Sequence, residues 1–122
     1  MSAAPPQPTE IRYVTREKTL HVTFDDGVCF ALAAEYLRVE SPSAEVQGHN
    51  PSERILVPGK RYVSITAVEP IGNYAVRLVF NDGHDTGLYS WSYLYELGRD
   101  HGVRWPRYID AIEARNLSRE LG

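Results

Sequence analysis

The stretch from Gly72 to Gly98, GNYAVRLVFNDGHDTGLYSWSYLYELG, constrains the fold more than any other. Tyr74, Val76, Leu78 and Phe80 alternate with other residues, so an extended chain puts them on one half-buried face. Asn81-Asp82-Gly83 tolerates the positive φ of a tight reversal. Thr86 to Tyr89 is long enough to return as a short strand. Ser90 then offers its hydroxyl to an early helical N–H, and Trp91, Leu94 and Tyr95 follow at i, i+3, i+4 spacing. Gly98 is expected to end that helix in a left-handed conformation.

The same logic applies upstream. Leu20, Val22 and Phe24 alternate, Asp25-Asp26-Gly27 reverses the chain, and Val28, Phe30 and Leu32 return. Ala33 to Arg38 suits one or two helical turns with Tyr36 and Leu37 inward. Ser41 to Pro58 is the longest loop, after which Val63, Ile65 and Ala67 resume the strand pattern. Beyond Gly98, Arg99 to Arg104 reads as a linker. Pro106 fits the first turn of a second helix reaching Arg115, with Trp105, Ile109 and Ile112 on one stripe and Arg107 facing water. The final NLSRELG is expected to fray, and no internal repeat is visible.

The expected class is α+β: an antiparallel β-sheet with short helices packed against it. Phe24, Leu37, Ile65, Val76, Leu78, Phe80, Trp91 and Leu94 are the expected core. Residues 1–10, proline-rich and polar, read as a disordered tail, with ordered structure starting near Ile11 or Leu20. Residues 11–122 read as a single domain, since 122 residues at 43% hydrophobic content support one modest core.

Composition removes several function classes. With 13 basic against 16 acidic side chains, the net charge of -3 offers no field for nucleic acid. No apolar run approaches a membrane span, and MSAAPPQPTE lacks the regions of a signal peptide, so a cytoplasmic setting without membrane contact is expected. Cys29, the only cysteine, excludes an internal disulfide and a self-contained cysteine-ligated cluster. Its apolar neighbours make it an expected small buried hydrophobe.

His84, flanked by Asp82 and Asp85 beside a turn, is the titratable residue of most interest. A neighbouring carboxylate can favour imidazolium or orient a neutral ring toward a metal. One reading is therefore a weakly bound divalent metal on His84 with Asp82, Asp85 or His101; the other is a turn histidine with ordinary polar neighbours. An iron oxygenase needs an acid two positions after a histidine, which none of His21, His49, His84 or His101 has. Pro58-Gly59-Lys60-Arg61 lacks the earlier glycine and the following Ser or Thr of a phosphate loop. Arg38 and Arg77 have no glycine-rich cradle and are expected in ion pairs. No catalytic constellation and no resident cofactor emerge. Tyr89, Tyr93 and Tyr95 crowd one segment, and those left exposed would anchor a protein partner beside His84.

The LHVTFDDG hairpin, AEYLRVESPSAE, the AVEPIGNYAVRLVFNDGHDTGLYSW run and the YLYEL helix together give Leu20 to Leu97 a family resemblance. This segment resembles the small bacterial DUF971 family, also called gamma-butyrobetaine hydroxylase-like N-terminal domains. The resemblance implies an antiparallel sheet with packed helices. In the carnitine-pathway dioxygenases, the similar domain holds a structural zinc through three cysteines after a Leu-Arg pair and a histidine in the later turn. Here Leu37-Arg38 matches the pair, Ser41, Ser43 and Val46 fall at the cysteines, and His84 matches the histidine. The resemblance thus implies that the zinc site is lost, and the dioxygenase catalytic domain is absent. Related domains fused to P-loop ATPases with iron–sulfur clusters imply an accessory role near cluster assembly. The expected function is a non-catalytic interaction module that binds a protein partner.

Overall fold

Two Asp-Gly turns set the architecture. In the computed structural model, which describes residues 5–48 and 54–120, Gly27 and Gly83 take φ of 88° and 92°. Each donates its N–H to a phenylalanine carbonyl, Phe24 at 3.0 Å and Phe80 at 3.1 Å. The first turn joins β2 (Thr19–Phe24) to β3 (Cys29–Ala33), with β1 (Pro8–Val14) on the other side of β2. The second joins β5 (Ala75–Phe80) to β6 (Leu88–Ser90), with β4 (Ile65–Ile71) beyond β5. Every pairing is antiparallel. The α+β class is as expected, with the strands divided between two three-stranded sheets. Each sheet runs straight into a helix, α1 (Ala34–Val39) after β3 and α3 (Trp91–Arg99) after β6; α2 (Ala44–Gln47) and α4 (His101–Ala114) complete the fold.

The two βββα halves are arranged as copies, although no repeat was expected. Phe24, Asp26 and Gly27 correspond to Phe80, Asp82 and Gly83, whose numbers differ by 56. Phe24 N–H bonds the Val28 carbonyl and Phe80 N–H that of His84; Leu78 N–H then reaches Gly87, so the second hairpin carries one extra residue. That residue is a bulge, and the offset is 57 afterwards. Tyr36 of α1 donates its hydroxyl to the Leu97 carbonyl (2.7 Å), and Tyr93 of α3 donates to that of Glu40 (2.5 Å). Both donors and both acceptors are 57 apart. A contact answered by its reciprocal is the pattern of a two-fold interface, here folded into one chain.

Both halves contribute to a common core. Phe24, Leu37, Ile65, Val76, Leu78, Phe80 and Leu94 are buried as expected. Trp91 is only half-buried at the edge, its indole donating to the Asn73 carbonyl at 2.6 Å. Tyr74 is 57% exposed, because β5 begins at Ala75 and Tyr74 still belongs to the turn.

Several boundaries differ from the sequence expectation. Pro8 to Glu10, placed in a tail, belong to β1, held by pairing to β2; residues 1–4 lie outside the described residues, as do 49–53 with His49. Cys29 is exposed, since Phe30 and Leu32 take the inward face of β3 and alternation turns Cys29 outward. Gly98 lies inside α3 without a positive φ. A Cβ there would stand 2.2 Å from Phe30 Cγ, so glycine allows helix and strand to approach closely. Arg99 to Arg104 is no linker: Asp100 alone separates α3 from α4, and Pro106 sits inside α4. Its missing N–H removes one helical hydrogen bond. The C-terminal segment is tied down by Gly59 N–H to the Ser118 carbonyl and Arg61 N–H to that of Arg119. Arg119 also grips buried Glu35 with two bonds of 2.7 and 2.8 Å. Among the described residues no helix is long and apolar enough to cross a membrane.

Candidate functional site

His84 follows the second Asp-Gly turn, and the bulge behind it turns its ring inward, where it is 5% exposed. Nδ1 lies 3.2 Å from Glu45 Oε2 and Nε2 lies 2.8 Å from Ser41 Oγ. A carboxylate only accepts, so Nδ1 carries the proton and Nε2 accepts from the Ser41 hydroxyl. Burial, then the nearby Arg38 charge, lowers the His84 pKa below its ordinary value. Its backbone N–H donates to Asp82 Oδ1 (3.0 Å), while Asp82 Oδ2 receives Arg38 Nε (2.8 Å) and Lys60 Nζ (2.7 Å). Burial alone would raise the Asp82 pKa; hydrogen bonds from Lys60, the His84 N–H and Arg38 hold it at about 2. Arg38 and Arg77 both form ion pairs as expected, Arg77 with Glu69 and more loosely with Asp85.

Ser41, His84 and Glu45 have the connectivity of a hydrolytic triad, but the serine cannot act as one. Ser41 is 0% exposed, and its Oγ also accepts the Ser43 N–H at 3.2 Å. A carbonyl substrate has no approach to that oxygen, and geometry is the first test of a nucleophile and base. The proposed metal set is not assembled either. Asp82 is committed to Arg38 and Lys60, Asp85 faces Arg77, and the His101 ring packs beside Tyr36 and Trp105.

The four positions equated with zinc ligands do come together. Ser43 Oγ bonds Thr86 Oγ1 (2.6 Å), the Val46 N–H bonds the Ser43 carbonyl, and Val46 lines the same cleft as His84. Two hydroxyls and an isopropyl group in place of thiolates do not fit zinc. Nor do the described residues gather three or more His, Cys, Asp or Glu side chains suited to a metal ion. Hydrogen bonds knit this corner instead.

The tyrosine patch is corrected in the same way. Tyr89 is 0% exposed, its hydroxyl donating to the Leu37 carbonyl at 2.5 Å. Tyr93 and Tyr95 are half-buried, with hydroxyls on the Glu40 carbonyl and on Asp26 Oδ2 (2.8 Å). With His84 and Tyr89 inside, these residues do not form one exposed anchor surface. Helical and strand periodicity could not tell which rings would find an internal acceptor.

A different depression emerges between α4 and residues 54–57, enclosing about 200 Å³. Val39, Leu56, Val57, Tyr108 and Ala111 form its apolar lining, and Tyr108 is fixed by its hydroxyl on the Val57 carbonyl at 2.6 Å. Arg54, Arg104, Arg107 and Arg115 surround it with Glu40. The buried Glu40 carboxylate takes Arg54 (2.6 Å) and Arg104 (2.9 Å) on one oxygen. Sequence reading assigned Arg107 to water and missed this site. The available signal was the spacing of Arg104, Arg107, Tyr108, Ala111 and Arg115 along one face of a helix.

The fold and this corner define a small α+β domain of paired βββα halves with a hydrogen-bonded node at its histidine turn. The chain belongs to the gamma-butyrobetaine hydroxylase-like N-terminal domain family, whose model matches residues 11–95. Two solution NMR structures are similar, each with a TM-score of 0.83. One is 42% identical and covers 96% of this chain and 92% of its own; for the other the values are 45%, 99% and 90%. A crystal structure from Acidithiobacillus ferrooxidans, of a protein of unknown function in the DUF971 family, is 41% identical with a TM-score of 0.65. It covers 75% of this chain and 92% of its own. No curated protein matches the chain.

Proposed function

We propose that this chain is a non-catalytic module that binds a protein partner in the cytoplasm through the arginine-rimmed face of α4. The observation that carries this reading is the depression itself: an apolar floor ringed by arginines, the composition enriched where interfaces have their anchors. Its chemistry contrasts with the His84 corner, where Ser41, Glu45, Asp82 and His84 are engaged with one another or with Arg38 and Lys60. The module holds no metal of its own, so protein dialysed against a mild chelator should carry less than one zinc per chain. The family resemblance makes iron–sulfur P-loop ATPases the first partners to try.

Photo-cross-linking tests the reading. A benzoylphenylalanine in place of Ile55, an exposed residue that lines the depression, should capture a discrete protein in native cells, whereas one in place of exposed Tyr74 should not. No adduct at 55, or the same adduct at both positions, would overturn the assignment of the face. Substrate turnover by the purified chain would overturn its non-catalytic character.

A further inference from the structure

The arginine-rimmed depression specifies its ligand more closely than a general binding face does. Four arginines meet one glutamate around it, a local charge of +3 on a chain whose net charge is -3. Glu40 already neutralises part of Arg54 and Arg104, and Arg104 also reaches Glu96 at 2.5 Å. Arg107 and Arg115 have no carboxylate partner among the described residues, and both are exposed. They therefore supply the guanidinium groups best placed to take an incoming anion, which arginine binds through paired N–H donors.

The floor sets the second requirement. Leu56, Val57, Tyr108 and Ala111 offer an inorganic anion nothing, but remove an aliphatic body from water. The third requirement is size. About 200 Å³ is below the ~300–1,000 Å³ of pockets that enclose drug-sized ligands. It suits one branched side chain rather than a cofactor.

We infer that this depression captures the carboxyl terminus of a partner protein, its last residue apolar and its free carboxylate held by Arg107 and Arg115. A terminal residue joins the two features at the separation of one side chain. An internal acidic residue carries its charge at the tip and brings no apolar body. Terminal-carboxylate capture is a recurring mode of peptide recognition. The inference rests on the proposed binding function and names the partner's chemistry.

The test is a titration of the full chain with three probes: a peptide ending in Gly-Gly-Leu with a free carboxylate, its C-terminal amide, and 4-methylpentanoate. The free acid should bind, and amidation should weaken it at least about tenfold, the loss of one charge-assisted contact. Arg107→Gln and Arg115→Gln should each weaken the free acid similarly, while Arg12→Gln on β1 should not; near-UV circular dichroism confirms that the variants are folded. Equal binding of acid and amide, or no binding of either, would overturn the inference. Binding of 4-methylpentanoate as tight as the peptide would also overturn it, moving the source from a protein terminus to a small metabolite. Failure here with a surviving cross-link at position 55 would leave the binding function standing and remove only this ligand class. Peptide binding without any cross-linked protein would overturn the protein-partner reading and this inference with it, leaving a carboxylate site alone.

Discussion

The two βββα halves use one backbone plan to build two different corners. Beside the first Asp-Gly turn, Tyr95 donates to Asp26 Oδ2 at 2.8 Å; beside the second, Arg38 donates to Asp82 Oδ2 at 2.8 Å. Tyr95 and Arg38 are equivalent positions, 57 apart, as the turn aspartates are at 56. A second exchange explains the divergence. Phe30 packs on Gly98, and its counterpart Gly87 packs on Ser41, the counterpart of Gly98. Where the strand carries Phe30, the space fills with rings, Phe24, Phe30 and Tyr95 meeting edge-on with centroids 5.0 to 6.0 Å apart. Where it carries Gly87, Ser41 and His84 enter and a polar node forms. The bulk at one strand position decides which chemistry the corner holds.

Removing the turn aspartates should separate the halves most. Arg38 has a side chain only 12% exposed and an Nη1 without a hydrogen-bond partner, so Asp82 compensates a nearly buried charge. Asp82→Ala should cost about 2–3 kcal/mol, less than a fully buried pair because Asp82 itself is partly solvated. Asp26→Ala loses a neutral phenol bond and the Val28 N–H contact, and should cost about 1–1.5 kcal/mol. Urea melts measure both. Equal losses would show that the charge at position 38 does not distinguish the corners.

The glycine exchange comes next. Gly98→Ala places a methyl against the Phe30 ring and should destabilise by about 1–2 kcal/mol after the gain in helix propensity. A methyl added at Gly102 in α4 would meet nothing within 4 Å, so Gly102→Ala should stabilise by about 0.5–1 kcal/mol. Phe30→Leu should recover part of the Gly98→Ala loss in a double-mutant cycle. Two alanines of the same sign would refute the close approach.

The reciprocal tyrosines test the symmetry itself. Tyr36→Phe and Tyr93→Phe each strand a main-chain carbonyl and should each cost about 1 kcal/mol. Tyr36 is 1% exposed and Tyr93 half-buried, so Tyr36 should lose slightly more. A loss at only one position would mean that the halves are not locked reciprocally.

Much of this fold was legible because its signals are local. Alternation at Leu20–Phe24 and Val76–Phe80, the two Asp-Gly turns and the Ser90 cap, whose Oγ accepts the Tyr93 N–H at 3.1 Å, each act within a few residues. The repeat was not legible, since the halves share little more than Phe-x-Asp-Gly and Tyr-Leu while the bulge shifts their register. Gly98 suggested a helix end because its role depends on Phe30, distant in sequence. The candidate site was legible only in part. His84 stood out, but its partners Ser41 and Glu45 approach through tertiary structure, and the α4 arginines require residues 54–57 to complete their ring.

The smallest expected effect concerns the positions just after the turn glycines, where the first half has Val28 and the second His84. Val28 cannot titrate, so between these two positions only His84 can contribute pH dependence between about 5 and 7.5, and the part lost in His84→Gln belongs to the second corner. The charged groups facing His84 pull in both directions: Arg38 disfavours imidazolium, Glu45 and Asp82 favour it, and burial tips the balance toward the neutral ring. A lowered folded-state pKa means that the unfolded chain takes up the proton first as pH falls. Stability is therefore complete above the ordinary histidine value of about 6.5 and declines below it until the folded ring also titrates. For one proton the slope is at most about 1.4 kcal/mol per pH unit. Asp82, held at about 2, stays ionised throughout and cannot supply that slope. Urea midpoints of the parent should thus fall between pH 7.5 and 5 more than those of His84→Gln. A parent that gains stability on acidification, with the gain lost in His84→Gln, would show that Glu45 outweighs burial and that the second corner favours a charged ring.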